Sequence, residues 1–325
     1  DLIPTFLRHG YTSALGVESN TIDGITSNNP LLMIERSYNP PPIRQQVLEI
    51  LMEECQVPAT FLGRDAAMAC YACGRTTSTV IDIGYSGTTV SPVFEGYVEQ
   101  KGVRRAPTGT MAMDEQSLEQ LHKLVKDSQI RKKIRKKDHK SLLPLYQAIN
   151  TAASKSLQVP SISYCLPDGQ SVDVPSQGRF SVAELAVGGK LSIEDKERIT
   201  NIREANLGGL TASPIANMVC DAAFRCDRDQ QAGVLGNVVL AGGGACIGPT
   251  DQSVPDSLRE QIETIIHAHT PGWRVKMLSP GMQERAIASW LGGSILASLG
   301  TFHEMWISKE EYEEWGCSIV NRKCP

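Results

Sequence analysis

Two β-rich runs joined by one glycine-bracketed turn constrain this chain more than any other stretch. Residues 79–97 read TVIDIGYSGTTVSPVFEGY. Thr79, Val80 and Ile81 form the first run, and Thr88, Val90, Pro92 and Val93 mark the second, both in residues that suit a pleated, half-buried surface. Between them lie Asp82, Gly84 and Gly87. A Gly-X-X-Gly turn lets the backbone fold tightly and gathers amide N–H groups toward one point, which suits an anion. The carboxylate of Asp82 beside it suits a metal bound to a phosphate. A plain β-hairpin with an acidic turn has the same spacing, so both readings stand at this level.

The chain has 325 residues, 41% of them hydrophobic and 21% charged, enough apolar material for two cores. No apolar run approaches the length of a membrane span, so no membrane partner is expected. A net charge of −4 argues against a global attraction to nucleic acid. The chain opens at Asp1 rather than Met and is expected to lack its natural beginning. Nine cysteines, an odd number, read as free thiols in a reducing compartment. Cys70 and Cys73 make a CxxC, but they fall in an Ala-rich helical stretch with no second pair or His cluster at zinc spacing. They read as structural thiols.

In chain order the pattern predicts an amphipathic helix over 1–17, a short buried strand at 31–34, and a helix from Ile43 to Cys55 led in by Pro40, Pro41 and Pro42. A strand at 60–62 and a helix over 65–73, ended by Gly74, come next, and then the strand–turn–strand. This alternation indicates an α/β layered fold. A helix is expected at 114–126. Further on, a P-D-G turn (Pro167, Asp168, Gly169) predicts a hairpin over 163–174, and a helix over 214–226 is expected. The buried strand 237–240 runs into Ala241, Gly242, Gly243, Gly244 and Ala245, a strand–glycine–helix transition and the second candidate ligand contact. A helix over 257–267, a strand over 274–278 and one helix over 284–299 complete the pattern. The tail carries Trp306, Tyr312 and Trp315, apolar enough to dock onto a body. The most basic stretch, RKKIRKKDHK at 131–140, reads either as a solvated helix face or as a nucleic-acid or nuclear-import element. It has no interleaved aromatics for base stacking.

Several motifs in order resemble actin: Gly74-Arg75-Thr76-Thr77, Asp82-Ile83-Gly84, the run Pro92 to Tyr97, Leu166 to Gln170, and Ala241-Gly242-Gly243. The longest match runs from Ser289 to Phe302, continues from Met305 to Tyr312, and ends at Arg322-Lys323-Cys324-Pro325. The resemblance covers 1–108 and 160–325 and fades over 109–159. The Cys-Pro ending and the segment Tyr97 to Gly102 are most similar to the nuclear actin-related proteins of chromatin remodellers and histone acetyltransferase complexes.

The resemblance implies an actin-like ATPase fold, with two lobes that each hold a central mixed sheet flanked by helices and together clasp ATP and a Mg or Ca ion. The outer lobe would comprise 1–72 with 288–325, and the inner lobe 73–108 with 211–287. Residues 109–210 would form a divergent inserted subdomain. The family's first phosphate hairpin is expected upstream of Asp1. The second phosphate loop would be Asp82, Gly84, Tyr85, Ser86, Gly87 and Thr88, with Asp82 toward the metal. Gly242, Gly243, Gly244 and Ile247 would lie toward adenine. Where actin has the Gln that orients the attacking water, this chain has Asp65. Thr89 stands for a loop His, Tyr85-Ser86 for Asp-Gly, Ile247 for the adenine-stacking Tyr, and Ala286 for an adenine-side Lys. Hydrolysis needs a positioned water and stabilised transition-state charge, so these departures imply little or no turnover.

The same resemblance implies a nuclear, non-catalytic scaffold subunit acting in chromatin organisation, transcription regulation and DNA repair. Its expected partners are the helicase-SANT-associated helix of a remodelling ATPase or acetyltransferase scaffold, actin, and histones or nucleosomal DNA near the basic run. A filament-forming cytoskeletal ATPase and a small-molecule kinase are the competing expectations on the same fold.

Overall fold

A computed structural model describes residues 2–16, 29–113, 161–165, 171–174, 214–246 and 253–324. In chain order its elements begin with α1 (Leu2–His9), β1 (Leu31–Glu35), α2 (Pro41–Glu49), β2 (Ala59–Arg64) and α3 (Asp65–Ala72). The strands β3 (Ser78–Ile83), β4 (Thr88–Phe94), β5 (Tyr97–Val98), β6 (Arg104–Ala106), β7 (Ile162–Cys165) and β8 (Ser171–Val174) come next. Then come α4 (Ile215–Phe224), α5 (Arg228–Gly236), β9 (Asn237–Ala241), α6 (Ser253–His269), β10 (Lys276–Leu278), α7 (Met282–Ala286) and α8 (Ala288–Ala297). The chain closes with β11 (Ile307–Ser308), α9 (Lys309–Trp315) and α10 (Val320–Lys323). No described helix is long and apolar enough to cross a membrane.

Two compact units result. The first comprises Asp1–Thr76, Gly96–Val98 and Ser289–Pro325, and the second Thr77–Glu95 and Glu99–Ala288. Each is an α/β layer built on a mixed sheet. Most of the inserted 109–210 segment, with the basic run 131–140, the Leu166–Gln170 turn and the expected 114–126 helix, lies outside the described residues.

In the first unit the sheet order is β1-β2-β11. β1 runs parallel to β2 in the register Leu31↔Thr60 to Glu35↔Arg64, and β11 pairs antiparallel on the other side. Central β2 is buried from Thr60 onward, as expected of a strand covered on both faces. Pro41 and Pro42 occupy the first turn of α2, where their missing N–H groups cost nothing. α2 then passes into a π-type turn at Ile50–Glu54, and Leu48, Leu51, Val57, Leu62, Phe302 and Ile307 form the fully buried centre of this core. Arg44 is buried and spans the unit. Its Nε donates to Glu35 and its Nη2 donates to the Cys324 carbonyl, tying β1, α2 and the C-terminal segment together. Trp306 and Tyr312 pack against the same core, as the apolar tail predicts.

α3 ends in a Schellman motif: the Gly74 N–H donates to the Tyr71 carbonyl at 2.9 Å, the Arg75 N–H to the Cys70 carbonyl at 3.0 Å, and Gly74 has φ +63. Gly292 of α8 lies so close to α3 that a Cβ there would collide with the Met68 carbonyl. Cys70 is buried in α3 and Cys73 half-buried just past it. Among the described residues no group of three or more His, Cys, Asp or Glu is placed to hold a metal. None of the nine cysteines is in a disulfide.

In the second unit the sheet runs β10-β9-β3-β4, with β6 also on β4. β10, β9 and β3 are mutually parallel, and β4 is antiparallel to β3. Helices α4, α5 and α6 supply the core against Ile81, Ile83, Val238 and Leu240. Two expectations are corrected here. The 274–278 strand shortens to Lys276–Leu278, because the Val275 N–H donates to the Glu263 carboxylate (3.3 Å) instead of to a neighbouring strand. The 284–299 helix is two helices, broken at Ile287 (φ −119, ψ 18).

Candidate nucleotide-binding site

Asp82, Gly84 and Gly242 meet at the C-terminal ends of the parallel strands β3 and β9, the edge where open α/β sheets bind ligands. Asp82 faces Ala241 on one side and Thr89 on the other. Ladder pairing stops at Ile83↔Thr88, and the turn beyond is closed by one bond, Gly84 N–H to the Gly87 carbonyl at 3.0 Å. Two-residue hairpin loops favour turns with positive φ at Tyr85 or at both Tyr85 and Ser86. Among the described non-glycine residues only Gln56 and Glu95 have positive φ, so Tyr85 and Ser86 do not form such a turn.

The other carbonyls of the loop are drawn sideways. Thr110 N–H donates to the Gly84 carbonyl and Met111 N–H to the Tyr85 carbonyl, each at 3.0 Å. Among the described residues the backbone takes up none of the amides of Tyr85, Ser86 and Gly87. Three consecutive unspent N–H groups are what an oxyanion requires. The approach depends on glycine. A Cβ on Gly109 would lie 2.5 Å from the Tyr85 carbonyl oxygen, and one on Gly87 would strike the Ala106 carbonyl. Thr88, although part of the predicted loop, is buried and spends its hydroxyl on the Thr108 carbonyl (2.6 Å).

The glycine turn after β9 closes the other side. Gly242 has φ +94, and a Cβ there would collide with the Asp82 carboxylate and the Ile83 carbonyl. Gly244 packs against Ile83 and Thr110, whereas Gly243 faces open space. In place of the expected helix, Gly243–Cys246 forms a 3₁₀ turn. Ile247 lies outside the described residues. Arg285, which the sequence pattern does not single out, holds this turn. Its carbonyl accepts the Gly242 N–H (2.9 Å), and its buried guanidinium donates to the Ala245 carbonyl (2.6 Å) and the Pro280 carbonyl (3.1 Å). The Arg-Ala pair in an otherwise helical stretch carries no local signal for that role.

Comparison with known proteins matches the same frame. The actin family profile covers residues 1–153 and 133–325. The chain belongs to the actin family. It is 31% identical to the rice (Oryza sativa subsp. indica) protein named actin-related protein 4, over all of this chain and 76% of that one. The protein of that name from Arabidopsis thaliana is 30% identical, over all of this chain and 77% of its own. The Gibberella zeae protein so named is 28% identical, over 94% and 71%.

Within the actin family's site the departures have definite environments. Asp65 begins α3 in the first unit and is 6% exposed. Its Oδ1 accepts from Ser37 N–H (2.9 Å), the Ser37 hydroxyl and Ala66 N–H (2.8 Å), and its Oδ2 accepts from Arg36 (3.3 Å). The carboxylate therefore serves as a buried cap for the start of α3 and for the 36–37 turn. Thr89 is buried in β4 opposite Asp82. Tyr85 is 65% exposed, so its ring does not pack into the loop, and what the loop uses of it is the backbone carbonyl.

Proposed function

We propose that this chain is a nuclear, non-catalytic actin-related scaffold subunit of chromatin-remodelling and histone acetyltransferase complexes, which binds ATP with a divalent cation and does not hydrolyse it efficiently. The Asp82–Gly242 cradle fits a nucleotide phosphate. Among the described residues the backbone takes up none of its amides, the open space at Gly243 lies beside it, and Asp82 offers the one carboxylate that Mg²⁺ bound through phosphates commonly uses. ATP and its cation would supply charge and contacts there, held by the amides of Tyr85, Ser86 and Gly87 and by Asp82.

The observation that carries the non-catalytic reading is Asp65. At the position where actin presents an amide to the attacking water, this chain has a carboxylate whose two oxygens accept four hydrogen bonds from the protein itself. A group so engaged cannot orient a water without breaking its own cap. The similarity to proteins named actin-related protein 4, over all of this chain and 76–77% of the rice and Arabidopsis proteins, supports the family branch. The partners that fit the reading are the helicase-SANT-associated helix of a remodelling ATPase or acetyltransferase scaffold and actin, with the basic run 131–140 directed to histones or nucleosomal DNA.

Purified protein given Mg²⁺ and ATP is expected to release no appreciable phosphate and to form no sedimenting filaments. It is expected to co-purify from nuclear extract with a remodelling or acetyltransferase complex. Turnover at the rate of actin, or nucleotide-dependent pelleting, overturns this reading in favour of a filament-forming ATPase.

A further inference from the structure

We propose that the backbone at Gly109–Met111 is a clasp that keeps the 84–87 loop competent for an anion. In an ordinary two-residue turn the carbonyl of the first residue accepts the N–H of the fourth. Here that bond would run from Gly87 N–H to the Gly84 carbonyl, but Thr110 N–H takes that carbonyl. Met111 N–H takes the next one, at Tyr85. Among the described residues the Gly87 amide thereby has no backbone acceptor in its own turn, and Gly109 packs against its nitrogen.

The clasp is built for this contact. A helical turn begins at residue 110, and the Gly109 carbonyl accepts from Met113 N–H (3.1 Å), which makes Gly109 its N-cap. The first N–H groups of any helix lack partners within it. Here Thr110 and Met111 satisfy theirs on the loop carbonyls. The Gly109 N–H bonds back to the Pro107 carbonyl (3.0 Å), fixing the approach, and Gly109 has no Cβ to hold the two segments apart. Thr110 also packs its methyl against Gly244, so one residue touches both the loop after β3 and the turn after β9. Occupancy of the cradle and order at the start of this helix are therefore linked.

The identity of the anion as a nucleotide phosphate rests on the proposed nucleotide-binding function; the diverted turn does not. Thr110→Pro separates the two. Proline is tolerated in the first turn of a helix, so this change removes the one N–H that holds the Gly84 carbonyl. Site-resolved hydrogen exchange on the ligand-free protein is expected to show the Gly87 amide exchanging fast in wild type, with Gly84, Thr110 and Met111 protected together. In Thr110→Pro the released Gly84 carbonyl closes the turn, and Gly87 exchange slows by about tenfold or more. Thr110→Ala keeps the N–H and leaves Gly87 unchanged. A Gly87 amide already protected in wild type overturns the clasp whether or not the variant folds, and so does equal Gly87 exchange in wild type and a folded Thr110→Pro. ATP affinity should fall about tenfold in Thr110→Pro while adenosine affinity holds, since only phosphate uses the loop. If wild type binds no ATP, the nucleotide reading fails and the exchange rates alone decide the clasp.

Discussion

Asp65 and Asp82 are the same residue in similar local settings, each at the C-terminal end of a buried strand. One is bonded into the start of α3, and the other stands against the glycine turn after β9. Asp65 comes directly after β2, and α3 begins on it, so the amides of Ala66 and Ser37 lie within reach of its carboxylate. Helix start, 36–37 turn and carboxylate satisfy each other, and the side chain is 6% exposed. Asp82 lies one residue before the end of β3, with Gly242 packed so close that a Cβ there would strike the carboxylate. Its neighbouring loop sends its carbonyls to Thr110 and Met111, and among the described residues the backbone takes up none of the amides of Tyr85, Ser86 and Gly87. A carboxylate next to a helix start takes up its amides, whereas one next to a glycine turn is approached closely by backbone. Under the proposed function, this contrast corresponds to a ligand site kept without a hydrolytic one.

The largest effect should come from undoing the Asp65 cap. Asp65→Gln restores the amide found in actin but cannot accept from Ser37 N–H, the Ser37 hydroxyl, Ala66 N–H and Arg36 as a carboxylate does. Losing charge-assisted bonds in a buried site costs about 3 kcal/mol, read as a drop in denaturant midpoint, with phosphate release still absent. A variant that folds with wild-type stability and gains turnover would show that Asp65 is not locked and would end the contrast.

Next in size is the glycine turn. Gly242→Ala must place a Cβ on the Asp82 carboxylate at φ +94, a cost of about 2 kcal/mol, and ATP affinity should fall with it. Gly243→Ala is the internal control, because nothing lies within 4 Å of its Cβ and its φ is unstrained. If both variants bind ATP equally, the cradle does not depend on the close approach of Gly242 and its place there needs another cause.

Sequence periodicity reached most of the fold because its main elements are local. The prolines before α2, the Gly74 stop and the β-branched runs of β3 and β4 each act within a few residues. The turn between β3 and β4 was legible as a turn, but its spacing fitted a plain hairpin as well as an anion loop. What stayed hidden depends on contacts far apart in the chain. Arg285 reaches the 242–245 turn from some forty residues away, and Arg44 reaches Cys324 across 280 residues. Thr110 finds the Gly84 carbonyl through its backbone alone, which no side-chain pattern can signal. The helix break at Ile287 belongs to the same class, because the Arg285 carbonyl just before it is committed to Gly242. The exposure of Tyr85 likewise depends on where its backbone is held rather than on its bulk.

The smallest effect tests whether burial, rather than the carboxylate itself, makes Asp65 costly to disturb. Glu311 belongs to the same unit and is also fully partnered. Lys323 Nζ donates to both its oxygens at 2.8 Å, and Ser308 N–H donates to it in the capping box of α9. The Lys323 ammonium therefore holds the Glu311 carboxyl below its ordinary value of 4.5. A lowered folded-state value means that the stabilisation is fully present above the unfolded value and is lost as pH falls through the folded one. Glu311 is 37% exposed, so solvent screening limits the contribution to about 0.5 kcal/mol. Lys323→Met should accordingly flatten the acid side of the stability curve below about pH 4.5 by that small amount. A loss there as large as that of Asp65→Gln would mean that an exposed carboxylate counts as much as a buried one. The difference between Asp65 and Asp82 could then no longer be ascribed to where the backbone places them.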